Sequence, residues 1–158
     1  VAPDVGGTKK ARRLAQCLDT NLAIIDKRRP EHGVAEIMNI IGDVKGKNCI
    51  ITDDIIDTAG TIVGAAKALK KQGANDIYIC ATHALLSGPA SERLSDDSIK
   101  EIILTNTIGI PQEKMLKKMK IISLGNLLAE SIKRIHEGTP MGPLFDGMYD
   151  RLKSKRCN

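Results

Sequence analysis

The sequence predicts an α/β protein, a parallel sheet with helices on both faces. Three observations lead there. Strand-like apolar segments fall at 48–52, 77–82, 101–105 and 120–124, segments of helical spacing at 61–72, 89–94 and 126–136 alternate with them, and no internal repeat interrupts the series. Such alternation implies crossover units on a parallel sheet, which is covered on both sides. Ligands of these sheets bind beyond the carboxyl ends of the strands.

Taken in order, residues 8–18 place Ala11, Leu14, Ala15 and Leu18 on one side, with Lys9, Lys10, Arg12 and Arg13 between them, a helix with a basic outer face. Leu22 to Ile25 reads as a short apolar strand. Asp26 to Val34 is charged, contains Pro30 and Gly33, and reads as an exposed loop. Glu36 to Ile41 suggests a strand ending in a turn at Gly42-Asp43 and Lys45-Gly46. Asn48 to Thr52 is a buried strand running into Asp53 and Asp54, and the helix from Thr61 to Gln72 closes at Gly73. A second apolar run, Ile77 to Thr82, is followed by a helix from Pro89 to Leu94. Strands at Glu101–Thr105 and Lys120–Leu124 and a helix from Asn126 to His136, ended by Gly138, complete the series. The polar, basic end from Arg151 to Asn158 is expected to fray.

A chain of 158 residues with 42% hydrophobic content has the size of one domain. No apolar run reaches the roughly 18–20 residues that span a bilayer, and no leader pattern precedes the first helix, so a soluble cytoplasmic protein without membrane partners is expected. The four cysteines, at 17, 49, 80 and 157, have neither zinc-site spacing nor disulfide density and read as reduced thiols. A net charge of +5 favours anionic ligands. With no Trp, one Phe and two Tyr there is little on which bases could stack, so nucleic acid is not an expected partner and a small phosphorylated ligand fits better. The opening Val1-Ala2-Pro3-Asp4 reads as the carboxyl end of a strand whose start is missing, and a fragment is expected.

The chemistry concentrates between Asn48 and Thr61. An apolar strand delivers two adjacent carboxylates, Asp53 and Asp54, then a third, Asp57, to a turn of Thr58, Ala59 and Gly60 that opens a helix at Thr61. Unpaired amides at a helix start, the positive end of its dipole and two threonine hydroxyls make an anion site. Gly60 permits close approach of the backbone. Carboxylates would repel a bare phosphate, so Asp53 and Asp54 must face sugar hydroxyls or a divalent cation; the bland alternative is that they cap the next element.

The string Asp53-Asp54-Ile55-Ile56-Asp57-Thr58-Ala59-Gly60-Thr61 resembles the phosphoribosyl pyrophosphate loop shared by type I phosphoribosyltransferases and ribose-phosphate pyrophosphokinases. Three more stretches resemble the pyrophosphokinases. These are Val1-Ala2-Pro3-Asp4-Val5-Gly6-Gly7, a metal-site segment; Ile24-Ile25-Asp26-Lys27-Arg28-Arg29-Pro30, a catalytic flexible loop; and Ala81-Thr82-His83-Ala84-Leu85-Leu86-Ser87-Gly88-Pro89-Ala90. The resemblance runs from Val1 to about Phe145, taken as a C-terminal phosphoribosyltransferase-like domain with a small antiparallel flap, followed by a basic tail over 146–158.

The resemblance implies transfer of the diphosphoryl group of MgATP to the anomeric hydroxyl of ribose 5-phosphate, giving phosphoribosyl pyrophosphate and AMP. Lys27 and Arg29 match the catalytic cations, Arg29 also serving the substrate, and both are expected on a loop that closes over ATP. Asp57, Thr58, Ala59, Gly60 and Thr61 match the 5-phosphate cradle, Asp53 and Asp54 the ribose contacts, and Asp4 a Mg2+ ligand. For Asp4 a turn-forming role before Gly6-Gly7 competes. His83 reads as structural or interfacial, and neither His32 nor His136 is a catalytic candidate. The family assembles into homo-oligomers, usually hexamers, and its first half carries a second metal ligand and most of the ATP site, so this chain alone is expected to be inactive. Residues 139–145 match the usual family ending only loosely. Two rivals stand beside this reading. A phosphoribosyltransferase would need a base-binding hood, for which no segment is found, and a non-catalytic regulatory relative is opposed by the intact Lys27, Arg29 and Asp53.

Overall fold

The computed structural model of this chain describes residues 1–28 and 37–146. Helix α1 (Thr8–Leu18) leads into a two-stranded antiparallel ribbon of β1 (Ile24–Arg28) and β2 (Ile37–Ile41). The other strands form one parallel sheet in the order β3 (Cys49–Ile56), β4 (Ile77–Ala84), β5 (Glu101–Thr105) and β6 (Met119–Ile122). Helices α2 (Gly60–Lys71) and α3 (Ala90–Leu94) lie in the first two crossovers, and α4 (Gly125–Glu137) follows β6. The expected α/β architecture and its small antiparallel flap are both present.

Strand β3 is the spine. Pleating sends successive side chains to opposite faces. Ile50 and Thr52 line a cavity with Ala11, Leu14 and Ala15 of α1, whereas Ile51, fully buried, faces the other way. On that second face α2 packs against β3 and β4 and buries Ile62, Val63, Ala65, Ala66 and Leu69, a spacing that keeps one stripe of the helix inward. Gly73 at φ +85° closes this helix, where a side chain would be strained. The core then continues through Ile77, Ile79, Leu94, Ile102 and Leu104. Cys17, Cys49 and Cys80 form no disulfide, and burial raises the pKa of Cys49 and Cys80, keeping them inert. Among the described residues no helix is long and apolar enough to cross a membrane.

Helices α1 and α2 and strands β2 and β5 fall where the sequence put them, but β1 and the end of β3 do not. The strand expected at 22–25 instead occupies Ile24–Arg28. Asp26, Lys27 and Arg28, expected in a loop, pair with Asn39, Met38 and Ile37. The ribbon buries Ile25 in the core while Asp26 and Lys27 stay partly exposed, and their backbone is satisfied by the partner strand, so charged residues enter it without an alternating apolar signal. The rest of the expected loop, including Arg29 and His32, lies outside the described residues, as does the basic tail beyond Asp146. Strand β3 likewise runs four residues past its expected end, because Asp53, Ile55 and Ile56 continue the ladder against Ala81, His83 and Ala84. A short 3-10 turn at Gln112–Lys114 had no periodic signature.

Candidate functional site

At the carboxyl end of β3 the chain turns through Asp57 and Thr58 and enters α2. Asp4, Asp53, Ile55 and residues 56–62 line a cavity of about 210 Å³ there. The turn depends on Ala59, which precedes the helix at φ 61°, ψ 0°, a left-handed conformation for a residue with a Cβ. Such a conformation costs on the order of 1 kcal/mol and persists only when neighbours impose it.

Those neighbours can be named. The Ile56 carbonyl accepts from the amides of Leu85 and Leu86 at 3.0 and 3.1 Å, and the Asp57 carbonyl from Ser87 at 3.0 Å. Arg93 Nη1 donates to the Thr58 carbonyl at 2.9 Å, and Val63 N–H donates to Ala59 at 3.0 Å as the first helical bond. Four successive carbonyls are thus occupied. The amides of Gly60, Thr61 and Ile62 precede that first helical donor and have no carbonyl within the helix to reach, and no side chain caps them. With the helix dipole behind them they form an anion site, and the hydroxyls of Thr58 and Thr61 lie on exposed residues beside it.

Three acids line the cavity: Asp4, Asp53 and Asp57. Asp53 is half-buried and accepts from the Asp54 amide at 2.9 Å. Burial is the main influence that pushes its carboxyl pKa up, and the charges of Asp54 and Asp4 add to it. Asp4 lines the same cavity, yet its Oδ1 also accepts from the Gly7 amide at 2.8 Å, the turn-forming arrangement. Asp4 thus makes the turn-forming contact while it also lines the cavity. Asp54 behaves differently. It is absent from the cavity lining, and Lys10 of α1 binds it at 2.6 Å, which holds its pKa at about 2.

Lys27 does not line this cavity, and Arg29 lies outside the described residues. Lys27, partly exposed, lies on β1 opposite Met38. The ribbon meets α2 at one close approach, where a Cβ placed on Gly64 would come within 2.9 Å of Met38 Cε. His83 Nδ1 lies 3.0 Å from Thr107 Oγ1, a structural contact between neighbouring strand ends. Sequence reasoning missed Lys10 and Arg93 as parts of this site. Lys10 carries no signal beyond a basic helix face, and Arg93 sits in a five-residue helix of ordinary composition.

Fold and cavity together define an α/β protein with an anion site and adjoining carboxylates at the carboxyl edge of a parallel sheet. Comparison with known proteins narrows this class. Residues 27–146 match the family model of the phosphoribosyl synthetase-associated domain, and the chain belongs to that family. It is 57% identical over 145 residues to the ribose-phosphate pyrophosphokinase of Caldanaerobacter subterraneus subsp. tengcongensis, covering 92% of this chain and 46% of that protein. With the Bacillus subtilis ribose-phosphate pyrophosphokinase it shares 53% identity, again over 92% of this chain and 46% of the relative. The crystal structure of phosphoribosylpyrophosphate synthetase from Mycobacterium smegmatis superposes with a TM-score of 0.80 at 41% identity, covering 87% of this chain and 44% of that one. The chain thus spans about half the length of the curated relatives it matches.

Proposed function

We propose that this chain supplies the ribose 5-phosphate half of a ribose-phosphate diphosphokinase, which transfers the diphosphoryl group of MgATP to the sugar's 1-hydroxyl and yields phosphoribosyl pyrophosphate and AMP. The observation that carries the proposal is the set of amides opening α2, left without helical acceptors beside three carboxylates in one cavity. A phosphate monoester suits the amides. Asp53 suits the vicinal hydroxyls of the pentose, since ionised carboxylates only accept hydrogen bonds, whereas Asp54, paired with Lys10, is not assigned to them.

In the reaction the 1-hydroxyl oxygen attacks the β-phosphorus of ATP, the bond from that phosphorus to the α–β bridging oxygen breaks, AMP leaves, and the hydroxyl proton is lost. Positioning and neutralisation of charge on phosphate oxygens supply most of such catalysis. Lys27 and Arg29 are assigned to that neutralisation. Asp4 and Asp53 fit a Mg2+ ion, because they line one cavity where burial, with the charges of Asp54 and Asp4 added, raises the cost of ionising Asp53 and a divalent cation would relieve it, with water and substrate oxygens completing an octahedral set. Bound there, the ion would neutralise phosphate oxygens. Since this chain spans about half the length of its relatives, it is expected to bind ribose 5-phosphate alone but to turn over only as part of the longer chain. The proposal extends to a homo-oligomer, supported by the exposed apolar residues Leu128, Ile132 and Ile135 on α4.

Calorimetric titration with ribose 5-phosphate tests the site. Binding is expected in the unaltered chain and is expected to weaken by at least tenfold in Asp57→Ala and Thr58→Ala. An unaltered chain that takes up no ribose 5-phosphate would remove the proposal.

A further inference from the structure

Segment 85–93 lies beside the anion loop without lining the cavity, yet it holds three of the loop's carbonyls. The amides of Leu85 and Leu86 take Ile56, that of Ser87 takes Asp57, and the Arg93 side chain takes Thr58. The segment is itself braced. Leu86 is buried at φ 51°, its carbonyl accepts from Lys114 Nζ at 2.8 Å, and the Ser91 hydroxyl donates to the Lys114 carbonyl at 3.0 Å. Arg93 is the member that reaches furthest along the loop, since a Cβ on Gly60 would lie 3.3 Å from Arg93 Nη1.

From this we infer that Arg93 is a positioning residue for the anion loop: by engaging the Thr58 carbonyl across Gly60 it holds Ala59 left-handed and keeps the amides of Gly60, Thr61 and Ile62 aimed into the cavity. The inference rests on the reading of residues 57–61 as the 5-phosphate cradle. The physical reason is twofold. A carbonyl swung toward the cavity would set a partial negative charge against a dianion. A charged donor also holds a carbonyl more firmly than a neutral one. Ala59, unlike glycine, has no intrinsic preference for the conformation it adopts, so the loop depends on outside restraint.

The test titrates the chain with ribose 5-phosphate and, separately, with inorganic phosphate. Arg93→Ala is expected to weaken both by a similar factor, about tenfold, the size of one charge-assisted hydrogen bond. Equal loss for the two ligands marks an effect on the loop rather than on the sugar. Arg93 is exposed, so the melting temperature is expected to move little, while the amide NMR signals of residues 59–62 shift in the ligand-free variant. Arg93→Lys keeps a cationic donor and is expected to recover part of the affinity, which keeps the test decisive if the alanine variant folds poorly. An unaltered chain that binds ribose 5-phosphate alongside an Arg93→Ala variant that binds it equally well, its amide signals unmoved, would overturn the positioning role alone. Failure of the unaltered chain to bind either ligand would overturn the cradle reading and this inference with it.

Discussion

The β3–α2 turn and the β1–β2 ribbon face the same chemistry with opposite construction. The turn grows from a strand whose Ile51 and Ile56 are buried, leads into a helix with five buried residues, and has its carbonyls tied down by the next crossover. Among the described residues the ribbon pairs with itself and, through one bridge, with Ala2, sets Ile25 in the core, and touches α2 where Met38 meets Gly64. The proposed sugar-phosphate site is thus built between a core strand and a core helix, whereas the proposed catalytic lysine sits on the ribbon. The proposal therefore makes affinity and turnover separable.

The largest expected effect breaks the pair apart at its chemical end. In a chain extended to the full length of its relatives, Lys27→Ala is expected to lower turnover by on the order of 10³-fold, as loss of one charge-stabilising donor does elsewhere, with affinity for ribose 5-phosphate unchanged. AMP formation and calorimetry measure the two separately; a variant with normal turnover would place the chemistry elsewhere.

Next comes the turn. Ala59→Val puts a β-branched side chain into a left-handed position and is expected to weaken ribose 5-phosphate binding by about 100-fold, corresponding to roughly 2–3 kcal/mol of strain. Ala59→Gly is expected to bind within a few-fold of the unaltered chain. Similar affinity in both variants would show that the turn is less restrained than the ribbon.

The joint between the two regions gives a smaller effect. Gly64→Val crowds Met38 Cε and is expected to shift the ribbon, costing on the order of tenfold in turnover for a displacement below about 1 Å and leaving sugar-phosphate affinity alone. Gly64→Ala is expected to be milder, because the end of a methionine side chain can yield. Equal loss of affinity and turnover in Gly64→Val would mean that the ribbon and turn are one mechanical unit.

The smallest effect concerns the acids. Asp54, held at about 2 by Lys10, adds stability that is present at neutral pH and is lost as pH falls from the ordinary carboxylate range toward that value. Asp53, raised chiefly by burial, acts in the opposite sense, and its contribution is lost as pH rises through its folded-state pKa. Lys10→Met is expected to reduce stability at pH 7 by less than about 1 kcal/mol, because both partners are exposed and screened, and to flatten the acid side of the stability profile. Urea midpoints between pH 7 and pH 3 measure it.

How far the sequence could be read follows the same division. Helix α2 was legible because its apolar spacing and closing Gly73 are local signals, and the nine residues from Asp53 to Thr61 marked the anion turn. The ribbon was legible only in part, since Asp26 to Arg28 form a strand by pairing with Asn39, Met38 and Ile37, which periodicity does not register. Asp54 turned from the cavity for a similar reason, its ion partner lying forty-four positions earlier on α1. Arg93 was invisible because its partner is a backbone carbonyl, and a carbonyl has no letter in a sequence.

The amides that open α2 have a further consequence. Protons with no internal acceptor exchange readily with solvent, so Gly60, Thr61 and Ile62 are expected to take up deuterium quickly while the amides of Leu85, Leu86 and Ser87 a few ångströms away stay protected. Occupancy by a phosphate ester would slow the first group and leave the second unchanged, making the protein an isotopic gauge of its own saturation without any attached label.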